Sequence, residues 1–178
     1  MDRPSEDSPA HIPPEHLPRL AEAVIEVPRG SFLKRAPSGR LEFLSPLPCP
    51  FNYGSVPGTL GPDGDPMDVI VLGPRLPRGP AGARPVVARV RFIDQGVPDP
   101  KWVCAEGGAS PEELLLIDRF FSVYALGKLA FARARGSALE VRYAGLDVVR
   151  EGRVIRAWSS GVARARYRAP AEDGKKVP

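Results

Sequence analysis

Proline and glycine constrain this chain more than any other feature, with 22 prolines and 18 glycines in 178 residues. Proline fixes φ and carries no amide hydrogen, and glycine loses the most backbone entropy on entering a regular element. A chain punctuated this densely is built from turns and short strands, not long helices. Ala23-Val24-Ile25-Glu26-Val27 sets β-branched residues around a lone glutamate, as in a strand, and Pro28 and Gly30 stop it. Leu41–Leu44 reads as a short strand ahead of Pro46, Pro48 and Pro50. After a Gly/Pro/Asp segment over 54–66, Val69–Leu72 is an apolar run of buried-strand length. Val86–Ile93 is another strand, with Arg89 and Arg91 on one face and Val90 and Phe92 on the other. Trp102–Ala105 continues the sheet after a turn.

The pattern changes at Ser110-Pro111-Glu112-Glu113. Ser110 caps a helix, Pro111 suits its first turn, and the two glutamates complement its dipole. Leu114, Ile117, Phe121 and Tyr124 recur at helical spacing, so the helix runs to about Leu126 and ends near Gly127. Leu139–Tyr143 then reads as a strand, and Asp147 starts a last helix carrying Val148, Ile155 and Trp158. Strands first and helices late predict a mainly β chain: a small closed β-barrel with two packed helices. Residues 1–20 form a Pro-rich extension, 21–168 a single domain, and 169–178 a flexible basic tail.

Composition narrows the function classes. At 43% hydrophobic and 26% charged, the chain has the make-up of one globular domain with a core of its own. No apolar run reaches the length of a membrane span, and the N-terminus lacks the apolar stretch of a secretion signal, so the expected location is cytoplasmic. Cys49 and Cys104 are far apart and outside any C-x-x-C arrangement, which reads as two reduced thiols. The formal charge of +4 raises nucleic acid as a partner. The basic residues are scattered, however, and only the tail (Arg164, Arg166, Arg168, Lys175, Lys176) is dense; with no aromatic platform, this argues against it. His11 and His16 both fall in the extension, which argues against a histidine metal site in the body.

Asp63-Gly64-Asp65-Pro66-Met67-Asp68 is the most informative segment. Three carboxylates this close repel one another unless cations neutralise them. Gly64 and Pro66 bend the backbone, and hard oxygen donors on a turn suit Mg²⁺ or Mn²⁺. The same residues also make an ordinary Asp-Gly turn leading into a strand. A second acidic loop, Asp94-Gln95-Gly96-Val97-Pro98-Asp99-Pro100-Lys101, reads alone as a solvated turn and beside the first as the other half of a multi-metal site.

Taken in order, these motifs resemble the family I soluble inorganic pyrophosphatases. Phe51-Asn52-Tyr53-Gly54 through Pro57-Gly58-Thr59-Leu60, followed by Asp63-Gly64-Asp65-Pro66-Met67-Asp68-Val69, is similar to the family signature. Val24-Ile25-Glu26-Val27-Pro28 resembles its opening strand, Asp94, Asp99 and Lys101 its D-x4-D-x-K loop, and Phe120-Phe121 with Tyr124 its helix motif. The resemblance implies an OB-like barrel that hydrolyses pyrophosphate, or a related phosphoanhydride, through a metal-activated water, with Mg²⁺ as cofactor and Mn²⁺ as a substitute. It implies Asp63, Asp68, Asp94 and Asp99 as metal ligands, Asp65 as general base and Glu26 as an outer-shell acid. Lys34, Tyr53, Lys101 and Tyr124 would hold phosphate oxygens. It also implies self-association, as a hexamer or dimer.

The departures lie on the phosphate side. Arg35 and Ala36 stand where the family has an aromatic residue and a glutamate, Cys49 where it has a tyrosine, and Ala125 where it has a lysine. Its phosphate-binding arginine has no counterpart beyond Arg40, which is near in sequence only. Lys128, Arg35, Arg40 and Arg89 are the cations available to fill these vacancies. The alternatives are a hydrolase of another phosphoanhydride with a rebuilt leaving-group pocket, and an impaired metal- or phosphate-binding relic.

Overall fold

Strand pairing in this protein closes on itself. The structure, a computed structural model, describes residues 10–11, 17–35, 41–44, 48–134, 136, 140–150 and 153–157. Its elements in order are β1 (Ala10–His11), β2 (Leu20–Val27), β3 (Leu33–Arg35), β4 (Leu41–Leu44), β5 (Asn52–Val56), β6 (Thr59–Leu60), β7 (Met67–Val71), β8 (Gly79–Asp94), β9 (Val97–Pro98) and β10 (Lys101–Cys104). The helix α1 (Pro111–Ala134) follows, then β11 (Arg142–Arg150) and β12 (Arg153–Ala157). Neighbours run β10-β7-β5-β2-β8, and β8 pairs back onto β10, so five strands form a ring. The 16-residue β8 makes this possible: its first half pairs with β2 and its second with β10 and β11. The β10–β7 pairing is parallel; the other pairings in the ring are antiparallel.

Two apolar clusters fill the two faces of the ring. Ala23, Ile25, Val69, Val71, Trp102 and Cys104 all belong to ring strands and pack with one another inside it. Ile70, Val90, Phe92 and Val103 point the other way and meet Ile117, Phe121 and Ala125 of α1. Strands covered on both faces read as unbroken apolar runs, which explains Val69–Val71. Each large side chain buried this way stabilises the fold by roughly 1.5–3 kcal/mol.

α1 starts as its sequence dictates. The Ser110 Oγ accepts the Glu113 amide (3.2 Å), and a Glu113 carboxylate oxygen accepts the Ser110 amide (3.0 Å), a reciprocal capping box. It does not end near Gly127, as expected, but continues to Ala134. One glycine costs about 1 kcal/mol in a helix; the good helix formers that follow and the burial of Leu129 offset it.

A larger correction concerns the C-terminal part. The expected helix from Asp147 is instead the hairpin β11–β12, so α1 is the one α-helix among the described residues. Val148 and Val149 pair with Ile155 and Val154, and Arg150 with Arg153. The strand expected over Leu139–Tyr143 is β11, displaced to Arg142–Arg150. Trp158, Arg40 and the basic tail lie outside the described residues. Of the extension, Ala10–His11 pairs in parallel with β6, and Leu17 packs on the ring's inner cluster. No helix among the described residues is long and apolar enough to cross a membrane.

Candidate active site

Outward-facing side chains of neighbouring strands meet at the edge of the surface that α1 covers. Asp68 lies two residues before Ile70 on β7, and Lys101 two before Val103 on β10, so both project on the helix side. Asp68 is paired in register with Lys101 on one side and Ser55 of β5 on the other. The Lys101 ammonium, almost fully buried, donates to Asp68 Oδ2 (2.6 Å) and Asp99 Oδ1 (2.7 Å). The Tyr53 phenol donates to the same Asp68 oxygen. Three expected residues from β5, β7 and β10 thus converge on one point, with Asp99 beside them.

Burial raises the Tyr53 pKa well above its ordinary value, and the charge of Asp68 and the hydrogen bond to it push the same way, so the phenol keeps its proton. Burial alone would lower the pKa of Lys101, but Asp68 and Asp99 outweigh it and the net direction is up. Asp99 is also raised, by burial first; Lys101 opposes this, while the charges of Asp68 and Asp63 add to it. Asp63 therefore acts on the same space as Asp68 and Asp99.

Glu26 reaches the site through a local irregularity. On β2, Ile25 is opposite Gly54 and Val27 opposite Tyr53, so Glu26 is the extra residue of a β-bulge. Its carboxylate accepts the Ser55 hydroxyl at 2.7 Å. Close strand approach is needed here: a Cβ on Gly54 would stand 1.8 Å from the Val24 carbonyl oxygen.

The Asp63–Asp65 loop is a compact turn. Gly61 donates to the Asp65 carbonyl (2.7 Å), Gly64 donates to the Gly61 carbonyl (3.1 Å), and Gly64 holds φ 90°, in the left-handed region. Asp63 Oδ1 accepts the Asp65 amide (3.2 Å), and the Asp65 carboxylate is exposed. Thr59 pins the base of the loop: its Oγ1 donates to the Val56 carbonyl (2.5 Å) and accepts the Met67 amide (3.0 Å).

The second acidic loop meets α1. Asp94, at the end of β8, accepts from Lys128, whose ammonium also stands 5.5 Å from the Tyr124 ring centroid. The other Asp94 oxygen, Oδ1, is buried and without a hydrogen-bond partner. Phe92 joins the two halves: Lys101 lies 5.8 Å from its ring, and the Tyr124 ring 5.8 Å away on another side. Arg89 and Arg91 leave from the opposite face of β8 and converge on buried Asp147 (2.5 and 3.1 Å).

Among the described residues, no three carboxylate, imidazole or thiol groups stand close enough together to hold a metal ion; lysines hold three of the aspartates instead. Lys34 lies on β3, and its side chain is outside the described residues. Sequence reasoning missed Ser55 and Thr59, whose only signal is a hydroxyl within the Asn52–Leu60 motif. Asn52 in that motif is structural: its amide, fully buried, accepts from Arg29 and Leu76 amides and donates to the Val71 and Pro74 carbonyls.

The family model described as inorganic pyrophosphatase matches residues 23–115. An inorganic pyrophosphatase of Gluconobacter oxydans is 39% identical over 101 residues, covering 52% of this chain and 58% of that protein. The soluble inorganic pyrophosphatase 2 of Chlamydomonas reinhardtii is 34% identical over 133 residues, covering 63% of this chain and 69% of its own. The match to the first of these thus spans under two thirds of the relative's length. Among solved structures, the inorganic pyrophosphatase of Thermus thermophilus superposes with a TM-score of 0.57 at 26% identity, covering 78% of this chain and 88% of that one.

Proposed function

The chain belongs to the inorganic pyrophosphatase family, and we propose that it hydrolyses inorganic pyrophosphate to two phosphates with Mg²⁺ as cofactor. The observation that carries this reading is the convergence of Tyr53, Asp68, Asp99 and Lys101, with Asp63 acting on the same space. The donors suit a hard divalent cation. Asp94 Oδ1 is buried without a partner, and the raised Asp99 is pushed further up by Asp68 and Asp63. Both are conditions that a cation relieves. Asp63, Asp68, Asp94 and Asp99 would share the binding of such ions between them, no three of them meeting at one point in this structure, with Mn²⁺ as a substitute. Bound there, such ions screen the charge of pyrophosphate and bring the pKa of water towards neutrality.

The chain's own groups do the rest. Asp65, exposed at the loop tip, accepts the proton of the attacking water as oxygen adds to one phosphorus and the bridging P–O bond breaks. Tyr53 stays protonated, so it serves as a donor, and Lys101 supplies a fixed positive charge beside it. Lys34 and Tyr124 would donate to phosphate oxygens. Glu26, held by Ser55 in its bulge, orders water at the rim.

The test is phosphate release from pyrophosphate with Mg²⁺, beside a chelated control and Asp65→Asn. Loss of the general base should lower the rate by about 10²–10⁴-fold. No release above the mutant's background would overturn the reading.

A further inference from the structure

We propose that Lys128 donates directly to a phosphate oxygen of the bound substrate, serving beside Tyr124 as the site's mobile phosphate donor. This rests on the pyrophosphatase reading and assigns a residue that the family motifs do not point to. Three cations near the site are already committed to carboxylates. Lys101 has a buried ammonium already committed to two carboxylates. Arg89 and Arg91 lie on the far face of β8 and hold Asp147. Lys128 differs from all three. Its side chain is 34% exposed, and Asp94 is its hydrogen-bond partner. An ammonium carries three N–H donors, so two remain to meet an incoming anion.

Helix geometry explains why the lysine stands at 128 and not beside the tyrosine at 125. Residues four apart share a helix face, which puts Lys128 over the Tyr124 ring at 5.5 Å. Position 125 is about 100° further round. There Ala125 is buried in the cluster with Phe121, and a lysine would have to bury its charge among aromatic rings. One turn along, the cation reaches the same tyrosine from the solvent side. Placed against Asp94, it also waits where a cation arriving with the substrate would displace it from the carboxylate and free it for phosphate.

The test uses the full chain and methylene diphosphonate, which binds as pyrophosphate does but does not turn over. Lys128→Met keeps the aliphatic stem against Tyr124 and removes the charge; Lys128→Arg restores it. Binding is measured by calorimetry with Mg²⁺, KM and kcat by phosphate release, and folding by melting temperature. We expect Lys128→Met to melt with the wild type, to weaken analogue binding by about tenfold or more, and to raise KM similarly, with Lys128→Arg recovering much of the loss. A second arm repeats Lys128→Met in an Asp94→Asn background. If the lysine only neutralises Asp94, its effect disappears there and the assignment is overturned; if it touches phosphate, the loss persists. Unchanged analogue binding in Lys128→Met, with an active wild type, overturns the Lys128 role alone. A wild type that neither binds the analogue nor releases phosphate overturns the pyrophosphatase reading and Lys128 with it.

Discussion

Gly54→Ala offers the sharpest check on how the barrel holds its site. The new Cβ would stand 1.8 Å from the Val24 carbonyl oxygen, 2.8 Å from its carbon and 3.0 Å from the Ile25 Cα. All three are backbone atoms of the paired strand, so no side chain can move aside. A relaxed carbon–oxygen contact needs about 3.3 Å, so β2 and β5 must part locally by about 1.5 Å. Ladder bonds stretched that far are lost, and about two are at stake near this pair, each worth about 1 kcal/mol net, with further cost for burying their groups unpaired. Adding strain in the packed faces gives about 3 kcal/mol. In a chain of this size that lowers the melting temperature by about 6–12 °C. Gly58→Ala is the control: its φ of 74° disfavours a side chain, but nothing lies within 4 Å, so only about 1 kcal/mol is expected. Thermal unfolding followed by circular dichroism ranks the two. A Gly54→Ala protein as stable as Gly58→Ala would refute the close-approach argument.

Other substitutions probe separate layers. Lys101→Met strands Asp68 and Asp99 without their shared counter-ion and should cost about 2–4 kcal/mol in metal-free buffer by denaturant titration, with Mg²⁺ recovering part of it. Because the folded pKa of Lys101 lies above its ordinary 10.5, its contribution is full below that pH and fades as pH rises through the folded value; the gap between wild type and Lys101→Met should close there. Cys104 is buried with its thiol pushed up to about 12, so at pH 8 only about one molecule in ten thousand carries the thiolate. Alkylation monitored by mass spectrometry should label half-buried Cys49 first and Cys104 only on unfolding. Tyr143→Phe removes the hydroxyl that donates to buried Asp118 at 2.9 Å and should cost about 2 kcal/mol in a denaturant melt.

The site was legible where side-chain identity carries the chemistry. Aspartates crowded around Gly64 and Pro66 announce themselves, and so does the Asp94–Lys101 loop. What the sequence hid was set by register. Nothing in Val24–Val27 says that Glu26 is the extra residue of a bulge, since its aim depends on how β5 pairs alongside. Lys128 was noted only as one available cation; its place against Asp94 depends on the helix outrunning Gly127. The C-terminal hairpin was misread because Val148 and Ile155 fit a helical face as readily as two paired strands, and β8, which decides the matter, is distant in sequence.

Lys34 rides on β3–β4, a two-stranded sheet paired with itself and not with the ring, whereas Asp68 and Lys101 sit on ring strands. The two groups therefore face different mutational regimes. Shifting a ring strand by one residue turns every side chain on it to the other face, ruining fold and carboxylates together. The hairpin and the outer turns of α1 can be rewritten without that penalty. Arg35 on β3 and Lys128 on α1 both fall on these permissive parts, where a substitution leaves the register of the ring untouched.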